Sequence, residues 1–321
     1  MRTLLRRIGL ALALWRLFGP AVSPRFTPGQ EHPWRLRGHT VYVGDREFLV
    51  RTVGPEDGRN VVFIHGLGGS SLAEWYEIGP LLSDRYRLTI IDHRSHGLSA
   101  RSAGPFEIDD AADDVAAVLD AIGVRSAGVV GYSMGGAIAQ SLAYRHPAKV
   151  DSLVLIGTFA FHPPAWRFAR MIGIWLTRTW ERLTGTGTPE VRAGYLLATG
   201  AVAPRHARWM WEETHRRDPE AGAEAGFALL RFDSRTWIGR LELPALVVIP
   251  TADQLVPSSW QYDLAARLKG AEVLEIPGAR HEAPWTHAGL IARRLDEFLG
   301  SVAVEDLSGH EADNPEDDKE D

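Results

Sequence analysis

The most specific chemical signature in the chain is a serine framed by glycines, Gly131-Tyr132-Ser133-Met134-Gly135-Gly136. It follows the apolar run Ala127 to Tyr132, which reads as a strand, and opens a helical pattern from Met134 to His146. A strand-to-helix turn this sharp strains its central residue and lifts the hydroxyl clear of the sheet. Small residues two before and two after it let strand and helix approach closely. An alcohol so placed becomes a nucleophile once a neighbouring base takes its proton. The chain has no cysteine, which excludes thiol nucleophiles, thiolate metal sites and disulfides while leaving the redox compartment open.

With this turn the chain resembles the α/β-hydrolase fold family, in its lid-bearing branch of serine esterases and lipases, over about residues 40 to 300. Four further motifs carry the resemblance. The first, His65-Gly66-Leu67-Gly68-Gly69, ends a strand. In the family this loop supplies half of an oxyanion hole, which assigns the backbone N–H groups of Leu67 and Met134 to the developing negative oxygen and leaves His65 as a brace. The second, Asp92-His93-Arg94-Ser95-His96-Gly97-Leu98-Ser99, is similar to a structural turn of the family that carries glycine where this chain has Ser95. His93 and His96 are accordingly read as structural or solvated.

The third motif, Thr251 to Pro257, brings Asp253 to the place of the family's orienting carboxylate, at the end of a strand where Asp233 and Asp263 are not. The fourth, Pro277 to Pro284, brings His281 to the place of the base, 28 residues further on. The order Ser, Asp, His is that of this fold. The resemblance therefore implies a catalytic triad of Ser133, Asp253 and His281, an acyl-enzyme, and no metal or organic cofactor.

Elbow chemistry narrows the bond. Epoxide hydrolases and haloalkane dehalogenases of the family use Asp where this chain has Ser133. Carbon–carbon bond hydrolases usually place Trp after the catalytic His, and Glu282 stands there; proline iminopeptidases place Trp after the nucleophile, and Met134 stands there. A carboxylic ester or lipid-like ester is the expected substrate, with a thioesterase or a carbon–carbon hydrolase on the same triad as alternatives. A ligand-binding protein without catalysis on the same fold is the rival class.

These residues need a sheet to position them. Thr40 to Val43 and Glu47 to Val53 read as a leading hairpin. The runs Val61 to His65, Leu88 to Asp92, Ala127 to Tyr132, Ser152 to Gly157, Ala245 to Thr251 and Ala271 to Ile276 read as further strands. Helical patterns at Leu72 to Ser83, Ile108 to Ile122, Met134 to His146 and His287 to Leu299 alternate with them, Asp109 and Asp110 serving as caps. The expected fold is α/β, a mainly parallel eight-stranded sheet between helices. The core covers residues 38–158 and 241–300. Residues 159–240 lose the strand pattern, hold six of the eleven tryptophans, and read as an inserted helical lid broken at Gly185 to Pro189 and at Pro204. Trp166, Trp175 and Trp180 are candidates for substrate contact there, packing of the lid on the sheet being the competing role.

The net charge of −6 conceals opposite ends. Residues 1–37, an expected N-terminal helix and linker, hold seven arginines and one glutamate; residues 303–321 hold nine acids and Lys319, too little apolar surface to order a tail expected to begin at 301. No basic face suits nucleic acid. Within residues 3–18, Leu4, Ile8, Leu12 and Trp15 recur at helical spacing against Arg2, Arg6 and Arg16. The uncharged run Ile8 to Trp15 is far short of the roughly 18 residues that span a bilayer. Three readings stay open: a helix packed on the domain, peripheral contact with anionic lipid, and a signal peptide. The expected location is cytoplasmic, with peripheral membrane association and secretion as the other readings.

Overall fold

The hairpin forms where alternation predicts it. In the computed structural model, which describes residues 33–101, 104–184, 188–216 and 218–302, β1 (His39–Val43) and β2 (Arg46–Val53) pair antiparallel across a turn in which Gly44 takes φ +61°. The remaining strands are β3 (Arg59–Ile64), β4 (Tyr86–Ile91), β5 (Ala127–Tyr132), β6 (Val150–Ile156), β7 (Ala245–Pro250) and β8 (Glu272–Ile276). They lie in the order β1-β2-β4-β3-β5-β6-β7-β8, antiparallel from β1 to β4 and parallel from β4 to β8. This is the eight-stranded, mainly parallel sheet that the apolar runs predict. β5 is buried along its whole length, as a strand covered on both faces must be.

Side chains alternate between the two faces. Val62, Ile64, Val129, Leu153 and Leu155 point into a core shared with α2 (Ile108–Ala121), α3 (Met134–Arg145) and α8 (Ser258–Arg267). Val61, Phe63, Val130, Val154 and Ile156 point the other way, onto α1 (Ser71–Trp75) and α10 (Ala288–Ser301). Phe63 and Trp75 meet there with ring centroids 4.7 Å apart and are both fully buried. Each such ring contributes on the order of 2–3 kcal/mol through burial.

Two local expectations are corrected. The helix read over Leu72 to Ser83 stops at Trp75, and a separate 3-10 turn covers Gly79–Leu81. Pro80 lacks an N–H and disfavours helical backbone at the residue before it. Asp109 and Asp110 sit in the first turn of α2 but the residue capping it is Glu107, whose side chain makes no capping bond. Asp109 instead accepts from Ser141 Oγ at 2.6 Å, and Asp110 pairs with Arg94 at 2.9 Å.

Between β6 and β7 the chain leaves the sheet and forms α4 (Pro164–Thr184), α5 (Thr188–Ala198), α6 (Ala207–His215) and α7 (Pro219–Arg231). A bridge between Phe161 and Asp233, with Ser234 N donating to Ala160 O at 2.8 Å, closes the neck of this insertion. Pro204 opens a 3-10 turn, as its position predicts. A further break, unmarked in the sequence reading, falls at Gly200, where φ +73° ends α5. A short helix, α9 (Ala283–Thr286), precedes α10. The amphipathic segment 3–18 and the acidic residues 303–321 lie outside the described residues. Among the described residues, no helix is long and apolar enough to cross a membrane.

Candidate active site

Ser133 joins β5 to α3 with φ +53° and ψ −116°, a left-handed backbone that costs a non-glycine residue about 1–3 kcal/mol. Its neighbours make the turn unavoidable. A methyl group on Gly131 would fall 2.4 Å from Gly135 O, and one on Gly135 2.1 Å from Ile64 O, so only glycine lets α3 start this close to β5 and β3. Ser133 N donates to Ile156 O at 2.9 Å, and Ser133 O accepts from Thr158 Oγ1 at 2.8 Å. The strained residue is thereby fixed from both sides.

The loop after β8 brings His281 Nε2 within 3.0 Å of Ser133 Oγ, and the loop after β7 brings Asp253 Oδ2 within 2.7 Å of His281 Nδ1. These contacts fit one tautomer: Nδ1–H donates to the carboxylate and Nε2 accepts the serine proton. Asp253 is closed to solvent at its side chain and accepts further bonds from Leu255 N and Val256 N, both 2.9 Å, and from Gln261 Nε2 at 3.2 Å. Its carboxylate is held by four donors and has little freedom to turn away. The two loops are tied by Ala252 N donating to Ala279 O at 2.8 Å. Tyr132 reaches across the site and donates its hydroxyl to His281 O at 2.8 Å; burial, then Glu74 nearby, pushes that phenol well above its ordinary range, so it stays a donor.

Leu67 follows β3, on the loop carrying the glycines expected of an oxyanion hole. Met134 is the first residue of α3, whose N–H is among the donors a helix leaves without an internal acceptor. The loop is held by two residues that the sequence reading did not single out. Glu74 of α1, its side chain wholly buried, accepts from Gly66 N at 3.3 Å and forms an ion pair with Arg192 of α5. Arg192 Nη1 also donates to Leu67 O at 2.6 Å. Glu74 carried a faint signal, a lone acid in the apolar segment Ser71 to Tyr76; Arg192 carried none.

His65 acts as the brace its position implies. Its Nδ1 donates to Gly66 O at 2.8 Å and its Nε2 accepts from His93 N at 3.1 Å. Burial, then the neighbouring His96, drives its pKa well down, so the ring is neutral. His93 lies 4.1 Å from it, centroid to centroid, and burial lowers its pKa as well. Both His93 and His96 are buried, which favours the structural reading over the solvated one. Ser95 adopts φ +61°, so the turn keeps the left-handed backbone that glycine supplies in the family. The tryptophans differ from expectation. Trp166 and Trp175 are 56% and 57% exposed on the outside of the insertion, and Trp180 is half-buried. Exposure of this size shows that Trp166 and Trp175 do not pack on the sheet.

A serine on a strained strand-to-helix turn, a carboxylate and a histidine from the loops after β7 and β8, and this sheet order define an α/β-hydrolase. Residues 59–184 match the alpha/beta hydrolase fold family, and the chain belongs to it. It is 32% identical over 262 residues to a protein of Caulobacter segnis named carbamate hydrolase RutD, covering 76% of this chain and 93% of that one. It is 30% identical over 268 residues to the pimeloyl-(acyl-carrier protein) methyl ester esterase of Neisseria meningitidis serogroup A, covering 78% and 80%. Among solved structures, a hydrolase from Pseudomonas aeruginosa PA01 superposes with a TM-score of 0.71 at 25% identity, covering 82% of this chain and 98% of the other. The chain is thus a hydrolase of this family.

Proposed function

We propose that the protein hydrolyses carboxylic esters through Ser133, His281 and Asp253. The observation that carries this reading is the unbroken contact from Ser133 Oγ to His281 Nε2 at 3.0 Å and from His281 Nδ1 to Asp253 at 2.7 Å. His281 takes the serine proton as Oγ attacks the ester carbonyl, and Asp253 stabilises the imidazolium that forms. Leu67 and Met134 N–H groups hold the oxyanion, the latter aided by the N-terminus of α3. The tetrahedral adduct collapses by expelling the alkoxide, which takes the proton from Nε2. Water then enters, His281 removes its proton, and the hydroxide attacks the acyl-enzyme; the acid leaves as Oγ recovers the proton.

The insertion serves as the lid that selects the acyl group, through α5, whose Arg192 and Tyr195 reach the loop of Leu67 and the residue after His281. A carbamate is the second reading, favoured by the name of the Caulobacter relative, since a carbamate offers the same carbonyl to the same serine. Turnover measured on esters of increasing acyl length and on aryl carbamates, for the wild type and Ser133→Ala, separates the two. Ester hydrolysis that vanishes in Ser133→Ala and covalent labelling of Ser133 by a fluorophosphonate are expected. Absence of Ser133-dependent turnover on every ester would overturn the proposal.

A further inference from the structure

Helix α4 is turned inside out. Its inward side reads Arg167, Arg170, Ile174, Arg178 and Glu181 at spacings of three and four, all buried or half-buried. Arg167 Nε donates to His162 O at 2.8 Å and Arg170 Nη2 to Leu255 O at 2.6 Å, while Arg178 and Arg182 share the single carboxylate of Glu220. Ile174 approaches Gly226 of α7. The outward side reads Phe168, Met171, Ile172, Trp175, Leu176 and Leu183, every one exposed, Phe168 by 67% and Trp175 by 57%. An ordinary surface helix places these sides the other way round.

We propose that this outward face is an adsorption surface for bilayers containing anionic lipid. The proposal concerns where the protein resides and is independent of the reaction assigned to Ser133. Charge selects the occupant. Four arginines of α4 stand against Glu181 and Glu220 in a chain of net charge −6, and Arg182, which shares Glu220 with Arg178 at the end of the apolar face, is 57% exposed at its side chain. Apolar side chains with tryptophan among them, bordered at one end by the guanidinium groups of Arg178 and Arg182, are a composition that settles at the boundary between anionic headgroups and acyl chains. A second copy meeting the first through a two-fold axis would oppose α4 to itself and set like charges together. Residues 1–37, with seven arginines and one glutamate, are likewise the wrong sign to cover it. The face also adjoins the chemistry: Leu255, bonded to Arg170 through its carbonyl, is 60% exposed and lies two residues beyond Asp253.

The test is sedimentation of the full chain with phosphatidylcholine vesicles and with vesicles in which about a third of the lipid is phosphatidylglycerol. It compares the wild type with Phe168→Ser/Met171→Ser/Trp175→Ser, substitutions at exposed positions. The wild type is expected to bind the phosphatidylglycerol vesicles, less so as salt rises, and the triple variant to bind them roughly tenfold or more weakly. A wild-type far-ultraviolet circular dichroism spectrum and melting temperature show that the variant remains folded; should it melt early, Trp175→Ser alone is read in the same way, with the same loss in direction. No vesicle binding by the wild type, equal binding to both vesicle types, or undiminished binding by the folded variant each overturns the proposal. So does a wild-type dimer that the triple variant converts to monomer, because the face would then belong to a second copy.

Discussion

Arg192→Ala should cripple turnover while leaving affinity for a small ester almost unchanged. The guanidinium is the counter-charge of Glu74, whose side chain is wholly buried, and it bonds the carbonyl of Leu67 directly. Breaking a buried ion pair from one side costs about 3–5 kcal/mol when the surroundings cannot yield. Here they can yield, because the segment Gly66 to Gly69 is three-quarters glycine, so the carboxylate relaxes by displacing the loop. The loss then falls on the Leu67 N–H. Losing one oxyanion donor lowers kcat by about 10²–10³, equivalent to about 2.7–4 kcal/mol, which the broken pair is large enough to supply. The assay is kcat and KM on a short-chain ester with thermal unfolding followed in parallel. The double substitution Arg192→Ala/Glu74→Gln removes the stranded charge while keeping an acceptor for Gly66 N, and should recover part of the lost kcat. A kcat for Arg192→Ala within about threefold of the wild type, or a double variant no better than the single one, refutes the reasoning.

The remaining predictions concern the triad and the buried histidines. Asp253→Asn should lower kcat by about 10⁴ with little change in KM, since an amide no longer fixes the Nδ1–H tautomer of His281; retention of a tenth of the activity in steady-state assays would exclude this role. Ser133→Gly should be more stable than Ser133→Ala by about 1 kcal/mol in denaturant unfolding, because φ +53° strains alanine and not glycine; equal midpoints would show that the turn stores no strain. His65 and His93 are both held neutral in the folded protein, with pKa values well below those of unfolded chains. Above about pH 6.5 neither state is protonated at these groups and they contribute no pH dependence. Below it the unfolded chain binds protons the folded one refuses, so stability should fall by up to about 2.7 kcal/mol per pH unit. Urea unfolding at pH 7.5 and 5.5 reads this, and equal stability at the two values would contradict the buried, neutral assignment.

The fold was legible because its signals are local. Ala127 to Tyr132 is apolar at every position except its glycines, as a strand covered on both faces must be, and the observed β5 has the same bounds. Ser133, Asp253 and His281 were legible for a related reason: each sits at the end of a strand, where sheet order alone brings three loops together. The contacts that carried no sequence signal join distant elements. Arg192 meets Glu74 across 118 positions and Tyr132 meets His281 across 149, and no periodicity in one partner announces the other. The direction of α4 was not legible for the opposite reason. Its apolar spacing is a sound helical signal, but periodicity fixes only that one side is apolar and is silent on which side meets the protein.

Helix α5 couples the insertion to both halves of the site. Arg192 and Tyr195 are three residues apart and therefore share one side of the helix. The first grips the loop that carries Leu67, and the second donates its hydroxyl to Glu282, the residue after His281, at 3.0 and 3.1 Å from its two carboxylate oxygens. Arg192 also lies 5.9 Å over the ring of Trp285, whose indole N–H donates to Ala73 O beside Glu74. A rigid rotation of α5 would accordingly move the loop of Leu67 and the loop of His281 together, whereas Asp253, held by its own loop and Gln261, would stay in place. The insertion is thus more than a cover over the triad: the loop of Leu67 and the residue after His281 are both bonded to one turn of helix outside the sheet. Changes in the insertion that act through α5 should register in kcat as well as in KM, because the side chains that hold the helix also contact the loop of Leu67 and the residue after His281.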